Sequence, residues 1–299
     1  MCKLFLTGVL LFCSLLVHAD SSVWRVSKGA DQLWIGGTVH VLPPAQYPLP
    51  AEFDAVYQQA DVLVLETDLS KMQDAGNASL IQQYLLYPAG TLLSDKLTTT
   101  TRQQLQTLLQ KHRLTLPQIE QFKPGMLVTQ LTLLELQQQG FSAPGVDQHF
   151  LTQAVQQKKT LKYLEAVEFQ LQLLGDLGTG REDLFLQHAL SDVEQSADLM
   201  AKTLRAWREG DLTQVEQLVL APVKAADLQT YQQMFVARNQ AWLPQIQALF
   251  GNKEQELVLV GLGHLAGSDG LLTLLQQAGY QVEVFRITPS PDKTTVKAG

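Results

Sequence analysis

Residues 61–69 read DVLVLETDL: Val62 to Leu65 are apolar without alternation, and the run closes on Glu66, Thr67 and Asp68. An alternating pattern would mark a strand with one wet face. A continuous run of valine and leucine marks a strand buried on both faces, as in parallel sheets covered by helices. The stretch therefore predicts an α/β fold in which Glu66 stands at a strand end.

Further runs fit the same plan. VWRVS (23–27) and QLWIGGTVH (32–40) flank Lys28-Gly29-Ala30-Asp31 and read as a hairpin. TLKYLEAVE (160–168) reads as a strand after a helix from Val146 to Lys158, and LVLVGLGHL (257–265) is again continuously apolar. YQVEVFRI (280–287) alternates, after a helix from Asp269 to Ala278 that ends at Gly279. Between them lie Gln- and Leu-rich segments with apolar residues spaced by three and four, the pattern of packed helices. No internal repeat and no Gly/Ser linker interrupts the chain. The expected architecture is one α/β domain over 20–287, a mixed, mostly parallel central sheet flanked by helices with large helical insertions.

The ends read differently. MCKLFLTGVLLFCSLLVHAD opens with one Lys and an apolar stretch of about 14 residues, short of the ~20 that span a bilayer, and closes on Val17-His18-Ala19. Residues 1–19 are expected to be a cleaved signal peptide, giving a periplasmic or secreted protein without a stable membrane anchor, and residues 288–299 a frayed tail. Cys2 and Cys13 both lie in the leader, so the remaining chain has no disulfide or thiolate metal ligand. A net charge of −7 disfavours nucleic acid and anionic membrane surfaces as partners.

Four of the apolar runs end on groups that can do chemistry: His40, Glu66, Glu165 and His264. In open α/β sheets, ligands bind outside the carboxyl ends of the strands, where side chains from several strands share a crevice. If these strands are parallel neighbours, two imidazoles and two carboxylates meet. Such a set either binds a divalent metal or serves as a general acid/base group.

Each residue also has a plainer reading. His40 and His264 could cap loops, although both follow a Gly-x-x step, Gly37-Thr-Val-His40 and Gly261-Leu-Gly-His264. Gly36 and Gly37 could let backbone approach a ligand. Glu66 would be costly to bury without a cation. Glu165, like Glu168, could simply start a helix, Asp147 suits the first turn of one, and Asp68 is a ligand or an N-cap. Arg238 shares a helical face with Leu228, Tyr231, Phe235, Trp242, Ile246 and Leu249, so it needs a buried carboxylate such as Glu66 or Asp147, a substrate oxyanion, or an exit at the rim. Pro244 is expected to kink that helix. His112, His149 and His188 are read as surface residues. GLGHLAG (261–267) with Glu283 about 20 residues on suggests a dinucleotide-binding turn, though its glycine spacing is wider than that fingerprint.

Taken together, WRVSKGADQLWIGGTVHVLP, DVLVLETDL, PGVDQHFLTQAVQQKKTLKYLEAVEFQ and LVLVGLGHLAGSDGLLTLLQQAGYQVEVF resemble the TraB/GumN family, which includes the TIKI Wnt-inactivating proteases. The family is grouped with erythromycin-esterase-like and ChaN-like proteins, which implies an α/β core with helices inserted around a cleft. Its first Gly-x-x-His matches Gly37 and His40, its acidic strand end Glu66, its middle block Asp147 and Glu165, its Arg-Asn pair Arg238-Asn239, and its second Gly-x-x-His Gly261 and His264. The resemblance implies hydrolysis of a peptide or small-molecule ester bond, metal-dependent in the TIKI branch. On that basis His40, Glu66 and His264 are expected to hold Mn, Co or Zn, with Gly37, Gly261 and Asp147 around the bound group. Glu165 or an unbound histidine would take the proton from water and Arg238 would stabilise the oxyanion. Two alternatives use the same residues: a metal-independent esterase with His40 as base, and a non-catalytic haem or iron binder of ChaN-like type.

Overall fold

The computed structural model describes residues 21–287 apart from 69 and 72–77; the expected leader (1–19) and tail (288–299) lie outside the described residues. In chain order the main elements are β1 (Val23–Lys28), β2 (Asp31–Thr38), β3 (Val41–Leu42), α1 (Ala51–Gln59), β4 (Val62–Leu65), α2 (Ala78–Leu85), α3 (Thr99–Lys111) and α4 (Pro124–Gln138). They continue with β5 (Ala143–Pro144), α5 (Val146–Gln157), β6 (Thr160–Tyr163), α6 (Val167–Asp176), α7 (Glu182–Glu209), α8 (Ala237–Gln247), β7 (Glu256–Gly261), α9 (Leu271–Gln277) and β8 (Gln281–Val284).

Six strands form one sheet in the order β6-β4-β7-β2-β1-β8. β6, β4, β7 and β2 run parallel, and β1 alone reverses, pairing antiparallel with β2 and β8. The β1–β2 turn bends at Gly29, whose φ of +65° a side chain would disfavour. β3 and β5 make a separate two-stranded pair. The mostly parallel sheet flanked by helices is the architecture the apolar runs imply.

Alternate side chains of those runs feed two cores. Leu63, Leu65, Leu257 and Leu259 pack on one face against Phe53 and Val56 of α1, Phe150 of α5 and Trp207 of α7. Val62, Val64, Val258 and Val260 pack on the other against Trp242 and Ile246 of α8 and Leu271 and Leu275 of α9. Covering both faces removes the need for alternation, since every position meets apolar neighbours. The inserted helices build a third cluster, in which Leu105, Leu108 and Leu109 of α3 meet Leu127 and Leu131 of α4 and Leu186 and Leu190 of α7.

Packing also explains the paired glycines of β2. A Cβ on Gly36 would stand 2.7 Å from Leu259 Cδ2 and 2.9 Å from Phe53 Cε1, and one on Gly37 would stand 2.6 Å from Leu262 Cδ1. The space therefore belongs to leucine and phenylalanine side chains, which corrects the expectation that Gly36 and Gly37 make room for a ligand. The Gly37 carbonyl is likewise engaged, accepting from Trp207 Nε1 at 2.8 Å.

Candidate active site

Because β2, β4, β6 and β7 are parallel neighbours, their carboxyl ends open on one side of the sheet and bring His40, Glu66, Glu165 and His264 together. The backbone beyond the strands holds the register a little further, with Leu164 N–H donating to Leu65 O and Glu165 N–H to Glu66 O at 2.9 Å.

Arg238 of α8 stands at the centre. Its Nη2 donates to Glu66 Oε2 at 2.6 Å and to Glu165 Oε1 at 2.7 Å, and its Nε to Glu165 Oε2 at 3.2 Å. Nη1 donates to Met234 O at 3.3 Å and to His264 Nε2 at 3.0 Å. All five N–H donors of the guanidinium are therefore spent on the protein. The planar group lies over the Trp242 ring at 4.5 Å, and Trp242 Nε1 donates to Glu165 Oε2 at 3.0 Å. These bonds give Arg238 the buried carboxylates it was expected to need, but they leave it no donor for an oxyanion. Both oxygens of Glu165 are likewise bound, so the site places Glu165 as the clamp of Arg238 rather than as a base.

A π-helical turn at Gln232–Val236 precedes α8. Its extra residue resets the helical register just before Arg238, and such turns recur at functional sites. The helix runs on through Pro244, so the break in register lies upstream of the expected kink. Leu228, expected on the packed face, is exposed.

His264 is buried behind this cation. Its Nδ1 donates to Asn239 Oδ1 at 2.7 Å, while Asn239 Nδ2 donates to the carbonyls of His264 and Asp269. With Nδ1 carrying the proton, Nε2 is free to accept from Arg238. Burial pushes the His264 pKa down to about 3, so the ring is neutral. Burial pulls Glu66 upward, but the Arg238 guanidinium, the protonated His40 and the Gly261 N–H outweigh it and hold the carboxyl at about 2.

His40 faces the other way. It follows β2, its side chain is 67% exposed, and its Nδ1 lies 2.8 Å from Asp147 Oδ2 in the first turn of α5. Gly145 makes this contact possible, because a Cβ there would lie 2.3 Å from Val39 O. The Asp147 carboxylate is the main cause raising the His40 pKa to about 9. Between the two halves lies Gly261, whose N–H donates to Glu66 Oε1 at 2.6 Å. The point where its Cβ would be is 3.2 Å from Glu66 Oε1 and 3.9 Å from His40 Nε2, so the missing methyl leaves space between them. His40 and Glu66 also line a small cleft of about 60 Å³, partly open to solvent, together with Thr67, Asp147 and Gln170 among others.

The TraB/PrgY/gumN family model matches residues 22–284. The chain belongs to this family. Among curated proteins, this TraB/PrgY/gumN chain is similar to the uncharacterised protein YbaP of Escherichia coli K12, at 26% identity over 277 residues that cover 87% of this chain and 99% of that protein. YbaP of Shigella flexneri matches to the same extent. No solved structure matches.

The expected metal set does not fit this family member's arrangement. A divalent ion shared by His40, Glu66 and His264 would need His264 Nε2 and a carboxylate oxygen facing it, and both His264 Nε2 and Glu66 Oε2 are bound to a cation, Arg238. Within the expected set, only His40 Nε2 and Glu66 Oε1 are left clear of Arg238, too few donors for the three-ligand site. Among the described residues no group of three or more His, Cys, Asp and Glu could hold a metal ion.

Other expectations part company with the fold. Asp68 Oδ1 accepts from Ser70 N–H at 3.2 Å and acts as a turn cap. His188 is exposed and His149 half-buried, but the His112 ring, expected at the surface, is 1% exposed and lies 3.3 Å from Glu135. Glu283 pairs with Arg25 on exposed β-strand surface, and α9 starts ten residues after Gly261, so the glycine turn lacks the geometry of a dinucleotide site. Thr67 and Gln170 also line the cleft. Nothing in composition or spacing marks either one.

Proposed function

We propose that this chain is an exported hydrolase that cleaves a peptide or ester bond without a resident metal, with His40 as the base that activates water. The observation that carries the reading is the pairing of an Asp147-oriented His40 with a fixed Glu66 across the space left by Gly261. Water in that space meets an imidazole nitrogen that accepts a proton and a carboxylate that orients the attack, the two elements of general-base hydrolysis. Asp147 holds the tautomer with the proton on Nδ1 and stabilises the imidazolium once Nε2 is protonated, the role of the acidic member of a catalytic triad. Glu66 remains ionised throughout, held by Arg238, Gln170 and the Gly261 N–H. Export rests on the apolar leader, and the acidic charge balance favours a peptide or small-molecule substrate over nucleic acid.

The test is hydrolysis of p-nitrophenyl acetate and of a fluorogenic peptide library by purified protein, with and without excess chelator. Turnover that survives chelation and falls by about 10²–10⁴ in His40→Ala supports the reading. Loss in chelator with recovery on adding Mn, Co or Zn overturns the metal-free version. Tight haem binding without turnover would replace it with a binding protein.

A further inference from the structure

The cleft contains two buried side-chain atoms with no hydrogen-bond partner: Thr67 Oγ and Asp147 Oδ1. Thr67 is 1% exposed and Asp147 7%, so solvent does not readily reach either. Leaving such atoms unpaired costs about 1–3 kcal/mol each, more for a carboxylate, and most buried polar atoms in folded proteins avoid it. Two of them in one small cleft, beside the groups assigned to catalysis, mark a place built for a ligand.

Their chemistry says what kind. Asp147 is a carboxylate whose other oxygen is bound to His40, so Oδ1 only accepts. The Thr67 hydroxyl both donates and accepts. It has no partner, whereas all five donors of Arg238, the Gly261 N–H and the Asn239 amide are engaged. An acceptor and a donor lining one small cleft complement a group that offers one N–H and one C=O.

We propose that Thr67 and Asp147 Oδ1 dock a secondary amide next to the scissile bond, Thr67 donating to its carbonyl and Asp147 accepting its N–H, which makes the substrate an N-acylated amino acid or peptide rather than a simple ester. This rests on the hydrolase reading above. It assigns Asp147 a second task, since one oxygen orients His40 while the other reads the substrate.

The test compares matched probes with one leaving group: the p-nitrophenyl esters of N-acetylglycine and N-acetylsarcosine, the second lacking only the amide N–H. The wild-type protein should prefer the N–H ester by about 10–100-fold in kcat/KM, the value of one hydrogen bond to a charged acceptor. Thr67→Val should raise KM for the N-acetylglycine ester and Thr67→Ser should restore it, which a purely packing role would not do. Equal turnover of the two esters overturns the docking pair while leaving the hydrolase standing. If neither ester turns over, the hydrolase reading fails by itself, and ligand-observed NMR with N-acetylglycine methylamide and its N-methylated counterpart decides the docking pair. Binding of the first alone supports it, and equal or absent binding of both overturns it.

Discussion

Arg238 Nη1 donates to His264 Nε2 at 3.0 Å, so a buried arginine faces a buried histidine that must stay neutral to accept the bond. Two like charges there would repel. The fold resolves this by giving the positive charge to Arg238, flanked by Glu66 and Glu165, and by fixing the histidine proton on Nδ1 against Asn239.

That arrangement makes Arg238 the residue whose loss should cost most stability in the site. Arg238→Ala leaves two buried carboxylates without a cation, and removing one partner of a buried ion pair costs about 3–5 kcal/mol. Arg238→Lys should recover only part of it, because three donors on a point charge cannot match a five-donor fork. Urea unfolding of both variants measures this, and a loss below about 1 kcal/mol for Arg238→Ala would contradict the assignment.

The His40–Asp147 pair sets the pH dependence. Asp147 raises the His40 pKa from 6.5 to about 9, so His40 is protonated at neutral pH and becomes an available base as pH climbs through about 9. Activity should rise along that limb, and Asp147→Asn should move the limb down toward 6.5 while lowering the plateau. The pair is partly exposed through His40, and salt screens such a pair in part, so added salt should shift the wild-type limb in the same direction. For stability the sign is opposite: the pair's contribution is complete below about 6.5 and is lost as pH rises through about 9. A pH–rate profile that is flat from pH 6 to 10 would refute the base role.

At the acid end Glu66 governs. Its pKa is held at about 2 against an ordinary 4.5, so it contributes stability above about 4.5 that is lost as pH falls through about 2. Glu66→Gln should flatten the acid limb of the melting temperature between those values. An unchanged limb would show that other carboxylates carry the transition.

The two Gly-x-x-His glycines should separate under alanine substitution. Gly37→Ala forces a methyl to 2.6 Å from Leu262 and should cost about 1–3 kcal/mol of stability, as overpacking does. Gly261→Ala places its methyl 3.2 Å from Glu66 Oε1, in the space assigned to water, and should abolish hydrolysis with little change in melting temperature. The reverse pattern would exchange their roles.

Much of the fold was legible along the chain because burial on both faces leaves a one-dimensional signature. VLVL at 62–65 and LVLV at 257–260 lack alternation, and such runs demand helices above and below the sheet. His40, Glu66, Glu165 and His264 stood out because polar groups are rare next to such runs. Arg238 stood out because a guanidinium on an apolar helix face needs a counter-ion. Thr67 did not, since a threonine after a strand is unremarkable until its hydroxyl is seen to lack a partner.

The sequence by itself determined which segments become the six strands of the main sheet, which face of α8 is buried and which charged residues need partners, because these follow from local periodicity and the cost of burying charge. Only the tertiary structure decided who the partners are. The order β6-β4-β7-β2 brings Glu165, Glu66, His264 and His40 to one edge, and the packing of α8 across that edge puts a guanidinium where a metal was expected. Strand order and helix placement are set by contacts between residues far apart along the chain, as between Glu66 and Gly261, 195 positions apart, and no local pattern records them.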